Sequence, residues 1–157
     1  MTTASMPRLP QVALEYVIEA PPEAVFDVWT DADALMQWWC PGAYHATHVH
    51  LDARVGGRYE IRMAAPGREG EHIVRGEYVA LDRPRLLAMT WRAQGTPHDN
   101  NENCLLTVQL HEHPRGTRLA LLHEQLPVGS EGSYGQGWAQ VLQQLARHCG
   151  EAAAGHR

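Results

Sequence analysis

Between residues 47 and 124 the chain repeats one rhythm, short runs of alternating hydrophobicity separated by turns of a few residues, and this restricts the fold more than any other feature. Six such runs are predicted as strands, at 47–53, 58–65, 72–81, 86–92, 103–111 and 117–124. The separators carry turn chemistry: Val55-Gly56-Gly57, Ala65-Pro66-Gly67, Asp82-Arg83-Pro84 and Pro114-Arg115-Gly116. Connections this short allow hairpins but not the crossovers that parallel strands require, so the sheet should be an antiparallel meander. The one longer connection is 95–101.

Upstream, Val12, Leu14, Tyr16 and Ile18 alternate as a further half-buried strand that Pro21-Pro22 ends. Pro22 and Glu23 suit the first turn of a helix, where a missing N–H costs nothing and an acid meets the positive end of the dipole. Val25, Val28 and Trp29 then follow helical spacing, and Thr30 or Asp31 can cap a second short helix carrying Leu35, Trp38 and Trp39. Pro41-Gly42 stops it. Downstream, 134–148 repeats apolar residues at Trp138, Val141, Leu142 and Leu145, an amphipathic helix ending near Gly150.

The order strand, two short helices, six strands, long helix describes an α+β domain of the helix-grip type. Its seven-stranded antiparallel sheet has one apolar face to cover, and the long C-terminal helix is the element that can cover it. A curved sheet gripping a helix leaves room for a cavity. The predicted organisation is a disordered leader at 1–10, a single domain at 11–150 and a frayed tail at 151–157. A length of 157 residues suits one domain.

Composition narrows the function. The net charge is -5 and the 13 basic residues, all Arg, form no cluster, which argues against a nucleic-acid partner because phosphates need a concentrated basic face. Cys40, Cys104 and Cys149 are odd in number and far apart, so neither a disulfide framework nor a zinc finger is expected. Reduced thiols and the absence of an 18-residue apolar run point to a cytoplasmic protein without a membrane span. His48 and His50 share a strand face near His45, but zinc wants three or four convergent ligands, and His111 and His113 cannot be brought to the first group by spacing. No metal and no other cofactor is expected.

Several segments resemble the family of proteins similar to the C-terminal domain of the activator of the heat-shock-protein-90 ATPase, in the START-like or SRPBCC superfamily. They are Ala20-Pro21-Pro22-Glu23-Ala24-Val25-Phe26-Asp27-Val28-Trp29-Thr30-Asp31, Trp38-Trp39-Cys40-Pro41, Val55-Gly56-Gly57-Arg58-Tyr59, Gly76-Glu77-Tyr78, Pro84-Arg85-Leu86 with Thr90-Trp91, Gly116-Thr117-Arg118-Leu119, and Gly137-Trp138. The family commonly has a small residue where Cys40 stands. The resemblance implies the helix-grip fold and a cavity between sheet and helix.

Alternation selects the residues expected to face that cavity: Tyr59, Ile61 and Met63; Met89 and Trp91; Leu106 and Val108; Leu121 and His123. Trp39 and the helix residues Trp138, Val141 and Leu142 complete the set. Aromatic and thioether groups suit a flat apolar ligand, although every one of these positions also suits a solid core. His123 shares the core face while carrying an imidazole that needs partners. Arg75 and Glu77 share the other face of their strand, where surface ion pairing is expected.

No Ser–His–Asp set and no carboxylate pair can be assembled by spacing, so catalytic residues are not assigned. The expected function is non-catalytic binding of a lipid-, polyketide- or flavonoid-like molecule. The alternative is an enzyme of the polyketide-cyclase or aromatase kind, for which His123 and Tyr59 would be the first candidates. A chaperone ATPase-activating module is suggested by the family name alone and opposed by the lack of the additional N-terminal domain of the eukaryotic activators. A homodimer is an admissible assembly.

Overall fold

The computed structural model describes residues 10–67, 70–94 and 104–154. The predicted leader up to residue 9, the connection 95–101 and residues 155–157 lie outside these. The elements run β1 (Val12–Ile18), α1 (Pro22–Trp29), α2 (Ala32–Trp38), β2 (His45–Leu51), β3 (Arg58–Ala64), β4 (His72–Asp82), β5 (Leu86–Gln94), β6 (Cys104–His113), β7 (Gly116–Glu124) and α3 (Glu131–Ala154). One seven-stranded antiparallel sheet has the order β1-β7-β6-β5-β4-β3-β2. The six later strands form the expected meander, and β1 joins it beside β7 by a pairing of segments about a hundred residues apart that local pattern does not specify.

Each short helix starts as its sequence dictates. Pro22 occupies the first turn of α1, and the Asp31 carboxylate accepts the backbone N–H groups of Asp33 at 2.9 Å and Ala34 at 3.3 Å. The long helix differs from expectation at both ends. It begins at Glu131, three residues before Tyr134, with the Ser130 carbonyl accepting the Tyr134 N–H at 3.0 Å. Gly132, Gly135 and Gly137 weaken the helical pattern there, but packing of Trp138 and Val141 outweighs their propensity cost. At the other end Gly150 does not stop the helix, because Ala152, Ala153 and Ala154 are the strongest helix formers.

The inner face of the sheet follows the predicted alternation: Tyr59, Ile61 and Met63, then Leu87, Met89 and Trp91, then Leu106, Val108 and Leu110, then Leu119, Leu121 and His123 are all buried. Irregular pairing between Ala46 and His48, and again between Tyr78 and Ala80, bends the β2–β5 side of the sheet. The three helices lie across this inner face. Val25, Phe26 and Trp29 of α1, Leu35 and Trp38 of α2, and Trp138, Leu142 and Leu145 of α3 all join one core. At the β6–β7 turn Gly116 has φ +136°, and a Cβ there would stand 2.4 Å from the Ile18 carbonyl oxygen. That close approach lets buried Thr117 donate its hydroxyl to the Ala20 carbonyl at 2.7 Å, tying the end of β1 to the turn.

Candidate functional site

A cavity of about 360 Å³ remains between the inner face of β3–β5 and the first half of α3. The sheet contributes Met63, His72, Val74, Trp91 and Ala93; α3 contributes Ser133, Tyr134, Gly137, Trp138 and Val141; and the segment leaving α2 contributes Trp39, Pro41 and Tyr44. The grouping follows from register. Met63 pairs with His72 and Val74 with Ala93, so these side chains form adjoining rows on one face, while Tyr134, Trp138 and Val141 sit four and three residues apart on one helix face.

The apolar wall is an aromatic cluster that takes in all five tryptophans of the chain. Trp39 lies 5.6 Å from both Trp91 and Trp138, measured between ring centroids, and Trp91 is 5.6 Å from Trp138. Trp29 stacks behind Trp138 at 6.2 Å and meets Trp38 edge-on at 4.7 Å. Such contacts add about 0.5–1.5 kcal/mol per pair beyond area burial. They make this wall rigid.

Polar groups are few. Tyr44 Oη and His72 Nε2 are 3.3 Å apart, with their rings 4.8 Å apart. On the other flank the Trp91 indole N–H donates to Tyr134 Oη at 3.4 Å. Tyr134 itself packs edge-on against His123 at 4.9 Å.

Five of the thirteen residues selected from the sequence line this cavity: Trp39, Met63, Trp91, Trp138 and Val141. Tyr59, Ile61, Met89, Leu106, Val108, Leu121, His123 and Leu142 are buried in the core beside it and do not line it. Alternation identifies a face but not where along that face the covering helix leaves a gap. Pro41, Tyr44, His72, Val74, Ala93, Ser133, Tyr134 and Gly137 were not selected, although two signals were present. Ala93 continues the Trp91 face by two residues, and Tyr134 precedes Trp138 by four. Arg75 and Glu77 sit on the outer face and are exposed, around a separate groove with Arg58, Glu60, Thr90 and Arg92.

His123 is fully buried, and its Nδ1 accepts the Trp138 indole N–H at 3.0 Å. The neutral ring therefore carries its proton on Nε2, which has no hydrogen-bond partner among the described residues. Burial without an opposite charge holds the imidazole pKa down at about 3. In the unfolded chain the same group titrates near about 6.5. Between those values the unfolded state binds a proton that the folded state refuses, so stability is fully present above about pH 6.5 and falls as pH drops toward 3. The expected slope is about 1.4 kcal/mol per pH unit, hence a loss of about 2 kcal/mol between pH 6.5 and 5. Urea unfolding across that range checks it: His123→Gln should remove most of the slope, and an unchanged slope would show that another group sets it.

Tyr59 is equally committed to structure. Its hydroxyl donates to the Thr90 carbonyl at 2.6 Å, and burial pushes its pKa well above the usual tyrosine value. Burial also pushes the Cys40 thiol up to about 12 and that of Cys149 to about 11, which leaves both as weak nucleophiles at neutral pH. All three cysteines are buried and outside any disulfide. Among the described residues no three His, Cys, Asp or Glu side chains converge as metal ligands, and no helix is long and apolar enough to cross a membrane.

The family model described as "Activator of Hsp90 ATPase homolog 1-like protein" matches residues 19–150. A Chromobacterium violaceum protein of known structure is 30% identical, with a TM-score of 0.77 over 88% of this chain and 96% of its own. The AHSA1 protein of Silicibacter pomeroyi is 25% identical, with a TM-score of 0.76 over 94% of this chain and 100% of its own. An AHSA1-like protein from Aeromonas hydrophila, 23% identical over 92% of this chain and 94% of its own, shares the fold with a TM-score of 0.75. No curated protein matches the sequence significantly. From the matched sequence, the seven-stranded sheet and the long gripping helix together, the chain belongs to the family of activator of Hsp90 ATPase homolog 1-like proteins, whose fold is that of a ligand-binding domain family.

Proposed function

We propose that this protein binds a compact, largely apolar small molecule in the cavity between β3–β5 and α3, without transforming it. The observation that carries the reading is the cavity wall itself: three tryptophans, a methionine, two valines and an alanine, with a few polar groups set at the flanks. Its volume of about 360 Å³ falls at the lower end of small-molecule sites, roughly 300–1,000 Å³, which favours a flat ring system over a long-chain lipid. The non-catalytic part of the proposal is supported by the two side chains an enzyme would call on first. His123 is sealed in the core as a neutral ring, and the Tyr59 hydroxyl is spent on a backbone carbonyl. Three buried cysteines outside any disulfide fit a reducing cytoplasm, which we propose as the site of action.

Thermal-shift measurements with a flavonoid aglycone, an anthraquinone and a long-chain fatty acid test the proposal. At a hundredfold excess over its dissociation constant a ligand stabilises the fold by about 2.7 kcal/mol, equivalent to roughly 5–10 °C for a chain of this length. The aromatic compounds should give this shift and alter tryptophan emission, because Trp39, Trp91 and Trp138 form the wall. Ala93→Phe, which fills the cavity from the sheet side, should abolish both responses. No shift with any compound, or shifts that survive Ala93→Phe, would place the ligand elsewhere or nowhere.

A further inference from the structure

We infer that the Tyr44–His72 pair is a recognition site for a hydroxyl or carbonyl oxygen on an aromatic ligand, so that the cavity takes oxygenated ring systems in preference to hydrocarbons of the same shape. The inference rests on the cavity reading above and adds the ligand's chemistry. Tyr44 and His72 come from two separate segments, the one leaving α2 and the start of β4, and both line the cavity. Their rings lie 4.8 Å apart at an interplanar angle of 33°, and Oη and Nε2 are 3.3 Å apart. The pair flanks Met63, Val74 and Ala93, which offer a ligand no polar side-chain atom other than the soft thioether.

A phenol both donates and accepts, and an imidazole presents a donor or an acceptor according to tautomer. A ligand hydroxyl can therefore join the Tyr44–His72 hydrogen bond as a third member, and in the tautomer whose His72 Nε2–H donates to the Tyr44 oxygen the phenol O–H can turn to a ligand carbonyl. Along the Met63, Val74 and Ala93 stretch between the two flanks a ligand hydroxyl would lose water without compensation, which disfavours binding. The rigid tryptophan face fixes the ring plane while this pair fixes which edge of the ring points toward β4. A site built to hydrogen-bond an oxygen discriminates against the analogue lacking it far more strongly than an apolar pocket discriminates by shape.

Equilibrium dialysis with 2-naphthol and its near-isostere 2-methylnaphthalene tests this on the full chain. The protein should bind 2-naphthol about tenfold more tightly, the equivalent of one good hydrogen bond. Tyr44→Phe should remove that preference, bringing the affinity for 2-naphthol level with that for 2-methylnaphthalene, and His72→Gln should reduce it, so a folding defect in one variant leaves the other to decide. Equal binding of the two probes by the unmodified protein would overturn the recognition pair and leave the cavity reading standing. Preference lost in Tyr134→Phe but kept in Tyr44→Phe would also overturn it, by moving recognition to the other flank. Binding of neither probe would overturn both.

Discussion

Truncating Trp138 to alanine is expected to lower stability by about 3–5 kcal/mol, the range for removing a buried aromatic side chain. That is a large part of the 5–15 kcal/mol typical of a folded domain. Three losses coincide at this position. The indole packs against Trp29, Trp39, Trp91 and His123, so its removal opens a void that rigid neighbouring rings cannot collapse to fill. The aromatic contacts themselves disappear. His123 Nδ1 also loses its donor while remaining buried, adding the cost of an unsatisfied acceptor. Trp138→Phe separates these contributions, since it keeps most of the ring but not the N–H, and should cost about 1–3 kcal/mol. Equilibrium unfolding in urea reads both variants. A loss below about 1 kcal/mol for alanine would mean that the cluster is not the close-packed unit its ring geometry indicates.

Gly76→Ala should be about as damaging as a severe overpacking change, about 3 kcal/mol, although it adds a single methyl group. A Cβ at Gly76 would stand 2.0 Å from the Thr90 carbonyl oxygen and 2.7 Å from Thr90 Oγ1. The obstruction is backbone, and two hydrogen bonds hold it in place. Tyr59, the register partner of Gly76, donates its hydroxyl to that same carbonyl at 2.6 Å, and the Glu77 N–H donates to Thr90 Oγ1 at 2.9 Å. Making room would therefore require β4 and β5 to part where Tyr59 links β3 to β5. Gly135→Ala is the matched control, because its Cβ meets nothing within 4 Å and lies inside α3. It should stabilise by roughly 0.5–1 kcal/mol through helix propensity. Similar effects at the two glycines would refute the steric account.

The same contrast marks what could be read from the chain alone. Strand runs, turns, both short helices and the amphipathic stripe of α3 follow from local periodicity and capping chemistry, because hydrophobic alternation and the hydrogen-bonding needs of helix ends are encoded within a few residues. The inward faces of Tyr59 to Met63, Leu87 to Trp91, Leu106 to Leu110 and Leu119 to His123 were legible for the same reason. Helix ends were less so: Gly132, Gly135 and Gly150 argue locally against helix, and tertiary packing with an alanine-rich end overrides them.

The cavity belongs to the other class. His123 and Trp91 lie on the same inner face by alternation, yet Trp91 lines the opening while His123 is sealed behind Tyr134 and Trp138. Tyr44 and His72, 28 residues apart, carried no shared signal at all. Local sequence determined the elements, their apolar faces and the sheet-and-helix architecture. Where α3 leaves the sheet uncovered, and which polar side chains meet at that gap, was decided by three-dimensional packing, because a void is a property of several distant surfaces together and of no single run of residues.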